Sequence, residues 1–474
     1  MEQLDVDTLV IGWGKGGKTL AGQLARSGRQ VALVERSPQM YGGGCINVAC
    51  VPTKALIHQA GGRRNGDEPV EWFTASVAAR DGLIGKLRAK NHEMLATVST
   101  VTLIDGDARF VVAGDDGQDG TAPGHLVEVT GGDETLRISA EHVVVNTGTF
   151  PARPALDGLA VLEPADGVYD STTIQHADPF PRRLAILGSG YVGLELAGMF
   201  ADFGSEVTVV GRSEALLSAE DDDVASAVRE ALEAQGVTFR LGTSATSVSS
   251  SGGVVNLGVS DAAGEASIEA DALLVATGRT PATAALGLEA AGIATDERGY
   301  IVVDEFLRTS VEGVYAVGDV NGGDQFTYIS LDDSRILADQ QMGQGARSRA
   351  DRVAIPSTTF LTPPLARVGL NEKLARAAGR DVLVASKKVA EIAAMPRPKI
   401  MEQTRGVIKF VVDPETDLVL GATLNCIDAQ ELINLVALAM RAGVTASELR
   451  DGIWTHPSST EALNEVLAGL APLA

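Results

Sequence analysis

Apolar residues in this chain cluster in two ways, as short unbroken runs and as stripes spaced three or four apart. Residues 5–11, Asp-Val-Asp-Thr-Leu-Val-Ile, end in the continuous apolar stretch expected of a parallel strand covered on both faces. The pattern then predicts a helix from Lys18 to Ser27 and a strand from Gln30 to Val34. Residues 61–85 mix Gly, Arg, Asn and Asp without a clear period, and a helix is predicted from Gly82 to Val98. Leu103 to Phe110 opens a strand-rich section reaching Val145, with a polar hairpin loop from Gly114 to Gly124. Val143-Val144-Val145 closes in the small-residue turn Asn146-Thr147-Gly148, and Pro151 to Pro154 reads as a linker. The strand–glycine–helix–strand order then recurs, with strand Leu184 to Leu187, helix 194–203 and strand Glu206 to Val210. Ala272 to Val275 and Gly313 to Asp319 are further buried strands. From Ile355 the texture changes. Val407 to Asp413 and Val419 to Asn425 read as antiparallel strands around Pro414-Glu415-Thr416-Asp417. Helices follow from Ala429 to Ala442, from Ala446, and up to Leu470.

The glycines between these elements carry chemistry. Gly12-Trp13-Gly14-Lys15-Gly16-Gly17 lies between strand and helix, and Glu35 ends the next strand. That arrangement is a dinucleotide fingerprint: glycines admit the pyrophosphate, the helix N-terminus favours its charge, and the acid accepts from a ribose hydroxyl. Gly188-Ser189-Gly190-Tyr191-Val192-Gly193 repeats it. Two such folds imply two cofactors with electrons passing between them. After the second fold's next strand stand Gly211 and Arg212 in place of an acid, which favours a 2′-phosphate and hence NADPH, with NADH as the alternative. No second arginine stands near Arg212 in the sequence. Asp319, at the carboxyl end of the Gly313–Asp319 strand, suits a polyol hydroxyl.

Only three cysteines occur, and two of them form Cys45-Ile46-Asn47-Val48-Ala49-Cys50, after Gly42-Gly43-Gly44 and before Val51-Pro52-Thr53-Lys54. A disulfide closing so short a loop constrains little of the unfolded chain, and no further metal ligands stand nearby except His58, so a redox-active dithiol is the favoured reading. Pro52 suits the first turn of a helix. At 474 residues the chain exceeds one ordinary domain, and its net charge of −23 argues against nucleic acid as a partner. No apolar run reaches the roughly 18 residues a membrane span needs, and the acidic start has no secretory h-region, so a cytoplasmic location is expected.

Together these motifs, with Ala276-Thr277-Gly278-Arg279-Thr280-Pro281, Gly318-Asp319 and His456-Pro457-Ser458-Ser459-Thr460-Glu461, resemble the flavoprotein disulfide reductases along the whole chain. Several stretches are similar to the bacterial hypothiocyanous acid reductases of reactive-chlorine resistance: Gly14 to Leu20, Met40 to Gly43, Cys45-Ile46-Asn47, Pro52-Thr53-Lys54, Gln325 to Asp333 and Thr455 to Ser458.

The resemblance implies an α/β chain of glutathione reductase-like fold, with two Rossmann-like domains and a C-terminal α+β dimerisation domain. Residues 1–152 would begin an FAD domain, 153–281 bind NAD(P), 282–352 complete the FAD site and 353–474 form the interface. FAD would lie on Gly12, Gly14, Gly17, Glu35, Gly44, Lys54, Ala108, Thr147, Gly148, Asp319 and Thr327. The pyridine nucleotide would lie on Gly188, Gly190, Gly193, Arg212, Gly278 and Arg279, with Tyr191 as the residue that swings aside for it. Cys50 would be the thiol against the flavin, Cys45 the interchange thiol, Lys54 and Glu195 a pair beside the ring. His456, oriented by Glu461, would come from the other subunit of a homodimer.

The resemblance implies no metal site. Its family members differ in acceptor: a small oxidant such as hypothiocyanous acid, a low-molecular-weight disulfide such as lipoamide, glutathione or mycothiol disulfide, or copper(II). A thiol redox sensor is the non-enzymatic alternative. Gly44 and Ala49 depart from the family's threonine and glycine. Trp454 replaces a second histidine and is expected to crowd the substrate mouth.

Overall fold

The computed structural model describes residues 2–111 and 124–473, so the expected hairpin loop lies, apart from Gly124, outside the described residues. The chain divides into two compact units. The first comprises Met1–Leu56, Ser76–Ala152 and Arg279–Arg352, and the second Ile57–Ala75, Arg153–Gly278 and Val353–Ala474.

A seven-stranded sheet organises the first unit. Its strands are β1 (Glu2–Ile11), β2 (Val31–Glu35), β3 (Val101–Asp105), β4 (Asp107–Val111), β5 (His125–Gly131) and β6 (Glu134–Val145), in the order β3-β2-β1-β6-β5-β4, with Val314–Ala316 also pairing β6. Strands β3, β2, β1, β6 and Val314–Ala316 run parallel, while β5 pairs antiparallel with β6 and β4 antiparallel with β5. Leu9 and Ile11 join a core on one face, and Val10, Leu20 and Leu24 one on the other. Double coverage is why β1 reads as an unbroken apolar run and not as an alternation. Helix α1 (Lys15–Arg26) follows β1 and starts three residues before its expected start, because Gly16 and Gly17 lie inside it, closely approached by other parts of the unit.

The redox segment comprises the single turn α2 (Gly44–Asn47) and α3 (Cys50–Gly61), with Pro52 in the first turn of α3 as expected. Helix α4 (Pro69–Ala96) begins well before Gly82. Its buried stripe, Phe73, Ser76, Arg80, Ile84 and Leu95, has helical spacing but includes a serine and an arginine, which hid the period. The helix Thr327–Met342 belongs to this unit too.

In the second unit a five-stranded parallel sheet holds Val237–Arg240, Glu206–Val210, Arg183–Leu187, Ala272–Val275 and Val168–Asp170 in that order. Helix α5 (Tyr191–Phe203) and α6 (Asp222–Ala234) belong to it. A separate six-stranded antiparallel sheet includes Val407–Val412 paired with Val419–Asn425, as expected. Helix Ala429–Ala442 packs its Leu432, Ile433 and Val436 into this sheet's core. Cys426 is fully buried there, a packing thiol.

Candidate active site

The first fingerprint is built around Asn146. A Cβ on Gly12 would lie 2.5 Å from the Asn146 carbonyl oxygen, and one on Gly14 2.3 Å from its Oδ1. The Gly17 N–H donates to Asn146 Oδ1 (2.9 Å), and the Gly16 N–H to Ser330 Oγ (3.0 Å). Asn146 Nδ2 donates to the Val317 carbonyl (2.7 Å). Glu35 accepts from the Trp13 N–H (3.0 Å) and the Arg36 N–H (2.8 Å), while burial pushes its carboxyl up.

Thr147 Oγ1 is buried with no hydrogen-bond partner. Asp319, just past Val314–Ala316, is pushed up by burial against the charge of Arg279. It accepts from the Thr149 hydroxyl (3.3 Å), which itself accepts from Arg279 Nε at 2.6 Å. A buried carboxyl short of donors and an orphaned hydroxyl fit a bound polyol dinucleotide such as FAD. Gly148 leaves open space beside it, and a Cβ on Gly44 would meet only Val48 Cγ2, at 3.8 Å. Ala108 is buried in the sheet core, which leaves only its backbone for a ligand.

Cys45 and Cys50 are both free thiols, within hydrogen-bonding reach of one another. Cys50 opens α3 and contacts Thr327 Oγ1 (3.6 Å), the first residue of α7 (Thr327–Met342). The two thiols are driven apart. The hydrogen bond from Cys45, with help from Thr327 and the charge of Lys54, pulls Cys50 down to about 6 despite its desolvation. The same hydrogen bond, burial and the Cys50 charge push Cys45 up. A thiolate is the reactive form of cysteine, so the pair holds one ionised sulfur beside one protonated sulfur near neutral pH. Lys54 lies in the first unit and Glu195 in the second, where Glu195 Oε1 accepts from the Phe360 N–H (2.7 Å).

In the second fingerprint Gly188 is pressed against Ala276, and Gly193 against Gly188. Gly190 is the N-cap of α5 and has nothing within 4 Å of where its Cβ would stand, as does Gly278. That leaves the helix N-terminus open to a phosphate. Tyr191 donates to Glu220 Oε1 (2.9 Å), which also takes Arg367 Nη1 (3.1 Å); burial and the Glu220 charge push the phenol up to about 12. Arg212 is exposed and without a side-chain partner among the described residues. Strand register reverses one expectation. Val210 pairs Arg240, and the Gly211 N–H donates to the Arg240 carbonyl (3.0 Å), so a second arginine stands next to Gly211. Only strand order reveals it.

His456 Nδ1 meets Glu461 Oε1 at 2.8 Å, and the Ser458 N–H donates to Oε2 (2.8 Å). The spacing of five is bridged by the turn, which folds the carboxylate back under the ring. Burial raises the Glu461 carboxyl, but these two hydrogen bonds prevail and hold it below the usual range. The imidazole is well exposed. Trp454 Nε1 donates to the Leu449 carbonyl (3.2 Å), and its half-buried ring packs against the core of the six-stranded sheet. His58 is exposed on α3, and no group of three or more metal-ligating side chains occurs among the described residues. No helix among them is long and apolar enough to cross a membrane.

Comparison with known proteins agrees with this geometry. The family described as pyridine nucleotide-disulphide oxidoreductase matches residues 6–343, and its dimerisation domain matches residues 355–467. The chain is 42% identical over 460 residues to the probable pyridine nucleotide-disulfide oxidoreductase RclA of Escherichia coli, covering 97% of this chain and 98% of that one. It is 33% identical to a mercuric reductase of Streptomyces lividans, covering 96% and 94%. A solved Cu(II) complex of the HOCl-induced flavoprotein disulfide reductase RclA from E. coli superposes with a TM-score of 0.89 at 42% identity, covering 98% and 99%. Membership implies FAD and NAD(P)H as cofactors and a dimer as the assembly. The chain belongs to the pyridine nucleotide-disulfide oxidoreductase family.

Proposed function

We propose that this enzyme draws electrons from NADPH through FAD to the Cys45–Cys50 pair, and that the dithiol reduces hypothiocyanous acid to thiocyanate in the cytoplasm. The carrying observation is the placement of two free thiols as neighbours, with Cys50 opening α3 against Thr327 Oγ1 (3.6 Å) and drawn towards the thiolate by Cys45, Thr327 and the charge of Lys54. When bound, FAD supplies two-electron transfer from the nicotinamide to the disulfide. Gly12, Gly14, Gly17, Glu35, Thr147 and Asp319 hold it, while Gly188, Gly190, Gly193, Arg212 and Gly278 hold the nicotinamide cofactor. Tyr191 would move aside for the nicotinamide.

Cys45 is the sulfur that meets the acceptor. His456 of the partner subunit, oriented by its own carboxylate, takes the Cys45 proton and returns it to the leaving oxygen. The Cys45 thiolate attacks the electrophilic sulfur of hypothiocyanous acid; the S–O bond breaks and water leaves. The Cys50 thiolate then attacks Cys45, releasing thiocyanate and closing the Cys45–Cys50 disulfide. Two electrons leave the dithiol, and two are gained by the oxidant. The HOCl-induced relative supports an oxidant as acceptor.

Copper(II) is a second reading, favoured by the superposable relative's being a Cu(II) complex. Stopped-flow mixing of the reduced holoenzyme with hypothiocyanous acid, copper(II) or lipoamide, glutathione and mycothiol disulfides separates these acceptors. Rapid reoxidation by hypothiocyanous acid is expected. A rate no faster than with oxygen alone ends the assignment.

A further inference from the structure

Lys18 has no part in the roles above, yet it is a partly buried cation directly after the first fingerprint. From the first turn of α1 its ammonium donates to the Gly42 carbonyl (3.0 Å) and to Asn91 Oδ1 (2.6 Å). Asn91 is fixed in turn, its Nδ2 donating to the Leu87 carbonyl (2.8 Å) within α4. Gly42 is three residues before Cys45, and the turn between them is tight: a Cβ on Gly43 would lie 2.7 Å from Gly14 Cα. Lys18 therefore ties α1 and α4 to the turn that delivers Cys45.

A merely structural clamp at this place needs only a hydrogen-bond donor, and burying an ammonium is costly. The cost is visible: burial and the neighbouring Lys15 push Lys18 down to about 8, and the charge of Cys45 is what opposes them. Reciprocally, the Lys18 charge works against the hydrogen bond, burial and Cys50 charge that keep Cys45 protonated.

We infer that Lys18 is a positioning residue for the reaction, fixing the turn into Cys45 and supplying the positive charge that makes this sulfur available as a thiolate when an acceptor arrives. The inference rests on the reading of Cys45 as the thiol that meets the acceptor. His456 of the partner subunit and Lys18 then act on one sulfur in sequence: the base removes the proton, and the ammonium stabilises what is left.

The test is alkylation of the holoenzyme, reduced anaerobically with dithiothreitol, desalted and treated with iodoacetamide, with peptide masses giving the rates at Cys45 and Cys50 separately. Lys18→Gln keeps a donor for Gly42 and removes the charge; Lys18→Arg keeps the charge. Loss of the charge is expected to raise the Cys45 pKa by about one unit and slow its alkylation about tenfold, with Lys18→Arg restoring most of the rate. The Cys50 rate changes far less. Equal Cys45 rates in wild type and Lys18→Gln overturn the inference. Should Lys18→Gln not fold, Asn91→Leu, which removes one anchor of the ammonium, is read in the same way: slower Cys45 alkylation supports the inference, and an unchanged rate overturns it. Cys45→Ser separates the two levels. Full turnover without this thiol ends the reading of Cys45 itself, whereas an inactive Cys45→Ser with unaltered alkylation in Lys18→Gln ends only the role of Lys18.

Discussion

Asn146 stands where α1, the end of β6 and the strand leading to Asp319 converge, and it supplies hydrogen bonds that no neighbouring backbone group provides. Asn146→Ala leaves the buried Gly17 N–H without a partner and takes one donor from the Val317 carbonyl. An orphaned buried group costs about 1–3 kcal/mol, so a loss of about that size is expected in urea unfolding, together with weaker FAD retention. At Cys50 the expectation concerns pH. Its folded-state value of about 6 lies below the ordinary 9.0, so in the reduced protein the thiolate forms as pH rises through about 6. The sign for stability follows. This group's contribution is complete above the ordinary thiol range, declines below it and is lost as pH falls through about 6. Ultraviolet thiolate absorbance, compared with Cys50→Ser, measures the midpoint. A midpoint in the ordinary thiol range means that Cys45 does not donate to Cys50. In the sequence the two cysteines were visible as a pair, but their division into ionised and protonated partners was not, because it depends on Thr327 and on thiol orientation.

Elements with one covering layer per face were readable from the chain. β1, the strands at Val407 and Val419, and the helix from Ala429 all lie within a residue or so of where the apolar pattern puts their functional ends, Ile11, Val407 and Ala429. Elements whose contacts come from distant segments were not. α4 hides its buried face behind Ser76 and Arg80, and Arg240 reaches Gly211 only through sheet order. Lys409 belongs to this second class. It lies inside an otherwise apolar strand, yet its side chain is 3% exposed and its ammonium is ringed by Asp221 (3.1 Å), Asp223 (2.6 Å) and Glu372 (2.6 Å). The ring ties the start of α6 to helix Glu372–Ala377 and to strand Val407–Val412. Lys409→Met leaves carboxylates facing each other without a cation. A loss of about 3–5 kcal/mol is expected in urea unfolding. Asp223 adds a pH signature: burial raises it, but Lys409 and Ser386 outweigh burial and hold it below the usual carboxylate range. Its stabilisation is present above the ordinary range and lost on acidification below it. Lys409→Met is expected to flatten that part of the stability–pH curve.

Across the whole molecule, the proposed reaction is divided between a thiol pair near one end of the chain and an imidazole–carboxylate pair near the other. The histidine pair is complete within its own turn, since Glu461 both orients the ring and accepts from Ser458. Ile453, three residues before His456, is fully exposed, and Leu438 on the helix from Ala429 is 58% exposed. An exposed apolar side chain three residues from an exposed imidazole, in a chain whose residues 355–467 match a dimerisation domain, suits a histidine that serves a second subunit. Mixed dimers decide this directly. Cys45→Ser and His456→Ala homodimers each lack one half of every site, and each is expected to lose about 10²-fold or more of turnover with hypothiocyanous acid. In a mixed dimer, the intact thiols of the His456→Ala subunit meet the intact histidine of the Cys45→Ser subunit, so one site is whole. Co-expressed, doubly tagged and purified heterodimers are therefore expected to regain one wild-type site per dimer. If His456 acted within its own chain, both sites would remain broken and turnover would stay at the homodimer level. Equal FAD content in the three preparations makes the comparison one of catalysis and not of folding.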